Sequence, residues 1–366
     1  MDPLRNQQLS MPVVEVFLAI EEQILRNVAK RLKRDRTLLE GDIQSWQLDK
    51  LNELGSLTRE NIITIARYSE LAIDEVSRML EEAGYEAVGE FDDDLEEAVR
   101  SGRLIKPPDV DESPALQRVL DIYIAQARDQ YNLVGTTLLD QSRQVYLDIV
   151  NQTVGKVLTG VSTSEQALRE TARQWASKGV PALIDRAGRQ WSTEAYVGMV
   201  TRTMSNSVAN SMQDARLDDY EIDLIEVSSH AGARPLCAPY QGRIFSRSGN
   251  HPDYPALGST SYGEPAGLFG INCGHVKYPY VPGVTKRTYK PYNRKENDRI
   301  YEESQRQRAL EREIRKAKRE VAMMEEMGDE EGVREARAKV REKQANMRKF
   351  IKETGRTRRY EREKPY

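Results

Sequence analysis

Outside the stretch from His230 to His275 the chain has no thiol and no imidazole, because its two cysteines and three histidines all lie there. Chemistry that needs a soft metal ligand, a thiolate or a base near neutral pH is therefore confined to that window. Two cysteines in 366 residues also rule out a disulfide framework and fit synthesis in a reducing cytoplasm. No run approaches the roughly 18 consecutive apolar residues of a membrane span, so none is expected. The start, Met1-Asp-Pro-Leu-Arg, lacks a basic region followed by an apolar core, and no signal peptide is expected. Aromatic residues are scarce at 7%, charged ones reach 31%, and mean hydropathy is −0.68. That is too polar for one compact globule of 41.8 kDa and points to long, thin helical elements in several domains.

The net charge of −3 hides an asymmetry. From Lys286 onward there are 26 Lys+Arg against 17 Asp+Glu, a net +9, which leaves −12 for the rest. An acidic body with a basic tail suggests a tail with an anionic partner of its own, against the plainer reading of a solvated helix.

The first 180 or so residues read as successive helices. Ser10 and Pro12 open a run with Val14, Phe17, Leu18, Leu25, Val28 and Leu32 at three- and four-residue spacings. Thr58 is placed to cap a second helix, a break follows at Tyr68-Ser69-Glu70, and a third helix stops at Gly84. After Lys106-Pro-Pro, Ser113-Pro114 starts a long helical stretch, and Ser162 with Glu165 fits a capping box for a helix ending at Gly179. Ser192 caps a helix with the stripe Tyr196, Val200, Met204, Val208 and Met212. The texture then changes: Ile222–Val227, Gly242–Ser246 and Val276–Tyr280 read as strands around a loop rich in Gly, Ser and Pro. Beyond about residue 293 the chain forms helices too charged to bury much, interrupted at Gly328 and Gly332, and reads as an arm that orders against a partner. The expected fold is mainly α with a small α+β module. It divides into a helical N-terminal region (1–110), a long-helix region (111–185), the α+β module (186–285) and a basic charged helical tail (286–366).

The cysteine and histidine window admits four readings, one of them a Cys237–Cys273 disulfide, which a reducing compartment disfavours. His230, Cys237, Cys273 and His275 offer the donors of a Cys2His2 structural zinc site. Cys273 and His275 are two apart, so on an extended segment they face the same way, and a Gly-Ala-Arg-Pro turn lies between His230 and Cys237. Neither half has a Cys-x-x-Cys. Alternatively both cysteines are small buried apolar residues. The remaining reading is a thiolate nucleophile oriented by Asn272. A metal hydrolase would want carboxylates, and the window holds Asp253 and Glu264 alone. His251 reads as a surface residue.

The helices around Thr58–Gly84 have the spacing of a helix-turn-helix. The second carries Asp74, Glu75, Glu81 and Glu82 against one Arg78, which phosphate would repel. The tail end, with Lys352, Arg356, Arg358, Arg359, Arg362 and Lys364, is suited to phosphates or to an acidic protein surface, or is an unused terminus.

The segment from about Ser162 to Gly283 resembles the phage minor capsid protein 2 family, related to the Mu F-like head-morphogenesis proteins. The resemblance rests on Gly188-Arg189, Tyr196, Met199 and Arg202-Thr203. It rests above all on Val227-Ser-Ser-His230-Ala-Gly-Ala-Arg234-Pro-Leu-Cys237-Ala-Pro-Tyr240-Gln241-Gly242, and closes with Gly270-Ile-Asn272-Cys273-Gly-His275. Mu F-like relatives often carry a Cys-x-x-Cys near the first cysteine, where this chain has Tyr240. The resemblance implies a minor virion component without settled enzymatic activity. Such a protein joins the procapsid near the portal in few copies, contacts portal and other capsid proteins, with packaged DNA as a further partner, and aids head assembly, packaging or ejection. It implies no membrane and no small-molecule substrate, with assembly in the host cytoplasm. Arg202, Arg234, Tyr240, Gln241, Gly242 and Asn272 are then expected to hold the module's loops, and any metal to be a structural zinc. The competing expectations are a metal- or thiol-dependent hydrolase acting during entry and a DNA-binding virion protein acting through the tail.

Overall fold

The computed structural model describes residues 3–33, 38 and 41–364. Seven α-helices among the described residues make the fold mainly α: α1 (Pro3–Arg31), α2 (Ile43–Arg100), α3 (Pro114–Leu158), α4 (Ser164–Lys178), α5 (Thr193–Asp219), α6 (Arg294–Met327) and α7 (Glu330–Thr354). Five short strands complete it: β1 (Pro181–Ile184), β2 (Gln190–Ser192), β3 (Leu224–Val227), β4 (Ile244–Ser246) and β5 (Lys277–Pro279). The residues cluster into two units, and the divisions between them fall inside helices. The first holds Met1–Val14, Ile73–Gln130 and Gly198–Ser304; the second holds Glu15–Ala72, Tyr131–Val197 and Gln305–Tyr366.

In the first unit an antiparallel sheet of order β4-β3-β5 forms the small α+β part. All four residues of the central β3 are buried. Leu224 and Ile225 suit that position. Glu226 is tolerated because its carboxylate accepts from the amides of Thr288 at 2.9 Å and Tyr289 at 2.8 Å. Ile225, Val227 and Phe245 pack with Phe91 and Leu95 of α2 and with Leu217 and Tyr220 at the end of α5. Arg216, 3% exposed, donates to Asp92 and to the carbonyl of Pro108, and the Tyr220 hydroxyl donates to the same Asp92. Ser192 accepts from Ala195 N at the start of α5, where the sequence places the cap.

The second unit is built on Trp46, Leu57, Tyr146, Ile149, Trp175, Met323, Met324 and Met327. Its antiparallel β1–β2 hairpin, which the sequence reading passed over, turns at Asp185. The Asp185 carboxylate accepts from the amides of Ala187 and Arg189 at 3.0 Å each and from the Trp191 indole at 3.2 Å.

Several expected boundaries move. Pro12 lies inside α1, which starts at Pro3 rather than Ser10. No break occurs at residues 68–70 and none at Gly84: α2 runs through both. The Thr58 and Ser69 hydroxyls donate to Leu54 O and Ile65 O one turn back, so neither caps. The capping box is one residue later than expected, with Thr163 and Gln166. Gly328 ends α6, whereas Gly332 lies buried within α7.

The charged tail also departs from the reading as an arm. Helix α7 and the part of α6 from residue 305 belong to the second unit's core. Ile314, Met347 and Phe350 form a small cluster of their own, and Met323, Met324 and Met327 enter the main one. Their apolar residues are few but fall on one face, and charge is satisfied between helices. Lys339 of α7 and Arg173 of α4 both pair with Glu320, which is 1% exposed.

Candidate functional site

The site forms where two loops meet at one end of the three-stranded sheet. The chain leaves β3 at Val227 and passes through His230 and Cys237 before returning to β4. A second loop passes through Cys273 and His275 into β5. Val227 pairs with Lys277 across the strands. Just beyond that pair, Ser228 N donates to Val276 O at 3.1 Å and Val276 N donates to the Ser228 hydroxyl at 3.0 Å. The register thus brings His230 and His275 together, with ring centroids 4.4 Å apart.

Cys237, Cys273 and His275 converge, with one ligand atom of each within 4.8 Å of the others. The two sulfurs are 3.8 Å apart, and Cys273 Sγ is 3.3 Å from His275 Nδ1. Both cysteines are free thiols. Cys237 and His275 are each 1% exposed and Cys273 is 4% exposed, so the sulfurs are closed to an approaching substrate. Of the four residues suggested as zinc ligands, the structure brings three together. His230 instead lays its ring against that of His275. His251 stands apart, its ring tilted at 60° against that of Tyr254 with centroids 4.9 Å apart.

The surroundings favour the thiolate at Cys273 and oppose it at Cys237. Phe269 N donates to Cys273 Sγ at 3.1 Å, and Arg234 Nη2 approaches Cys237 Sγ at 3.7 Å. The hydrogen bond from Cys237 draws Cys273 down to about 7, helped by the His275 and Phe269 amides and the Arg234 guanidinium against the opposing effect of burial. The same bond, with burial, pushes Cys237 up to about 12. No carboxylate hydrogen-bonds to either sulfur among the described residues; the titratable neighbour is His275, with Nδ1 3.3 Å from Cys273 Sγ.

The motif residues lock these loops. Arg234 donates to Ile271 O at 2.7 Å and to Gly267 O at 3.3 Å, tying the first loop to the second. Gln241 Oε1 accepts from His230 N at 2.7 Å, closing the first loop on itself. Asn272 has a positive φ of 56°. Its amide N–H donates to the Thr203 hydroxyl at 3.1 Å and its side-chain oxygen accepts from Arg202 at 3.3 Å. Tyr240 packs edge-on against Phe245. Gly242 has φ of +61°, and a Cβ there would lie 2.8 Å from Tyr289 O, so only glycine fits without a shift.

A further set escaped the sequence reading. Asn206 and Asn210 of α5 each donate to His275 O at 3.2 Å, and Gln213 accepts from Lys277 N at 3.3 Å. With Thr203 they fall at three- and four-residue steps on one helical face. That polar stripe was the available signal, beside the apolar stripe that drew attention.

The basic tail end lies in the second unit and is largely engaged by its own chain. Arg358 donates twice to Glu363 at 2.6 Å, Arg362 faces Glu311 at 3.7 Å, and Arg356 donates to Gln307 at 2.8 Å. Burial draws Arg362 down to about 10. Arg359 is half-buried, and Lys352 is exposed.

Residues 1–352 match the family described as phage minor capsid protein 2. The chain belongs to that family. The structural protein of Lactococcus phage LL-H is 30% identical to this minor capsid family member over 367 residues, covering 95% of this chain and 97% of that protein. The structural protein of Lactococcus phage mv4 is 40% identical over 115 residues, covering 31% of this chain and 94% of that protein. No solved structure matches the chain. The family match extends well beyond the segment near residues 162–283 that carries the motifs, taking in the N-terminal helices and most of the tail. It places the chain among structural proteins of the phage virion and is consistent with a non-enzymatic role. Among the described residues no helix is long and apolar enough to cross a membrane.

Proposed function

We propose that this chain is a minor component of the phage head that joins the procapsid beside the portal and helps assemble the head or package the genome. The observation that carries the reading is the match over residues 1–352 to a minor capsid family. The surface of α2 supports a protein partner: within the second unit Leu48, Ile62 and Ile63 are 62%, 48% and 54% exposed, apolar area suited to a neighbouring subunit. Packaged DNA is a secondary partner in this reading. Arg358 and Arg362 face Glu363 and Glu311, so a phosphate reaching them must displace a carboxylate. Assembly takes place in the host cytoplasm.

Cross-linking mass spectrometry on purified procapsids tests the proposal. The expected result is cross-links from this chain to the portal protein, at few copies per particle. Cross-links confined to the major capsid lattice at high copy number would sink it. Filter binding of the purified chain to DNA across a salt series tests the secondary partner, and salt-independent or absent binding removes it.

A further inference from the structure

We propose that Cys237, Cys273 and His275 bind one Zn(II) ion that pins the two loops of the α+β module together. The fourth coordination position is left to His230 or to a water molecule.

The sulfur–sulfur distance is the one the ion would require, and the sulfur–nitrogen distance is within a few tenths of an ångström of it. Tetrahedral zinc with Zn–S bonds of about 2.3 Å and Zn–N bonds of about 2.0–2.1 Å holds two sulfurs about 3.8 Å apart and a sulfur and nitrogen about 3.6 Å apart. Here the sulfurs are 3.8 Å apart and Cys273 Sγ is 3.3 Å from His275 Nδ1. The atom His275 turns to the sulfurs is a ring nitrogen able to ligate, and its other nitrogen, Nε2, is buried with no hydrogen-bond partner among the described residues.

The donor set selects the metal. Two thiolates and an imidazole suit zinc and disfavour the oxygen-seeking Mg, Ca and Mn ions. Two thiolates balance the charge of Zn(II), so a neutral unit is buried. The N–H donors to sulfur supply the outer contacts that thiolate ligands use: Phe269 N to Cys273 and Arg234 to Cys237. The fold is also preset for it. Arg234 to Ile271 O, and Asn206 and Asn210 to His275 O, hold both loops in place through contacts that do not involve the sulfurs. On binding, the protons carried by the two thiols leave to solvent, and no electron is transferred.

The competing outcome is a redox pair, since sulfurs this close could oxidise to a disulfide with a bond of about 2.05 Å. Zinc content, thiol titration and zinc-edge X-ray absorption on the untagged full-length protein separate the two. The expected result is about one zinc per chain, both thiols protected from reagent until a chelator is added, and absorption that fits two sulfurs and at least one nitrogen. Cys273→Ser and His275→Ala each lose the zinc. Should those variants fail to fold, the absorption data on the unaltered chain still decide. A chain that takes up no zinc after exposure to zinc chloride under reducing conditions overturns the proposal. So does zinc bound without sulfur ligands, or a Cys237–Cys273 disulfide formed in the presence of zinc.

Discussion

Arg169 and Asp329, 160 residues apart in sequence, form a two-pronged ion pair. Nε and Nη2 of Arg169 donate to the carboxylate at 2.5 and 3.0 Å, and Asp329 is 2% exposed. The carboxylate also accepts from Gly332 N at 3.0 Å and so caps α7. Removing it leaves the buried guanidinium with the more exposed Glu331, 2.7 Å away, as its carboxylate partner, and a helix start uncapped. Asp329→Ala is expected to cost about 2–4 kcal/mol. Chemical denaturation should read this as a lower midpoint at similar slope. A loss under about 1 kcal/mol would mean water replaces the carboxylate at no great cost.

The Asp185 turn carries a pH dependence. Backbone and side-chain hydrogen bonds from Arg189, Trp191 and Ala187 hold its carboxyl down to about 2. A depressed folded value means that its contribution to stability is present above the ordinary carboxylate range and is lost as pH falls toward about 2. Fluorescence of Trp191, whose indole donates to the same carboxylate, should change through that acid range. Asp185→Asn should abolish the transition. A change centred at the ordinary aspartate value in the unaltered chain would contradict the hydrogen-bonded turn.

Much of the architecture was legible in the sequence where local and tertiary demands agree. The three strands of the first unit sit where β-branched residues and turn formers place them, and Ser192 opens α5 as expected. Legibility failed where a residue's local preference was overridden by its neighbours. Gly84 looks like a helix stop, yet α2 continues because the glycine makes room for a packed methionine: a Cβ there would lie 2.1 Å from the sulfur of Met212. The cysteine and histidine cluster was legible because those residue types are so rare in the chain. The position of His230 was not, since it depends on the path of a loop closed by Gln241. Nor were Asn206 and Asn210, whose role is set by the carbonyl of a residue more than sixty positions away.

Those two asparagines make a quantitative case. Asn210, 4% exposed, donates to both Asn206 O and His275 O. Asn210→Ala leaves the His275 carbonyl with one side-chain donor in place of two and opens space at the base of the site. A loss of about 1–3 kcal/mol is expected. Hydrogen exchange should accelerate in residues 268–277 more than in α5 itself. Uniform acceleration across the unit would instead signal a global effect.

The tail offers the sharpest contrast between sequence and structure. An arm that orders against a partner can be deleted without harm to the body. Here Met323, Met324 and Met327 share a core with Trp46, Tyr146 and Trp175, so the tail is a wall of the second unit. Met324 is fully buried at 0% exposure, and Met324→Ala should cost about 2–5 kcal/mol. Truncation after residue 304, where the second unit's C-terminal segment begins, should abolish cooperative unfolding of that unit and expose Trp46 and Trp175 to quencher. Limited proteolysis gives the same test without mutation. Cleavage sites confined to loops, with α6 and α7 protected, are expected. Rapid digestion from residue 305 onward, with the remainder still folding cooperatively, would restore the reading as an arm.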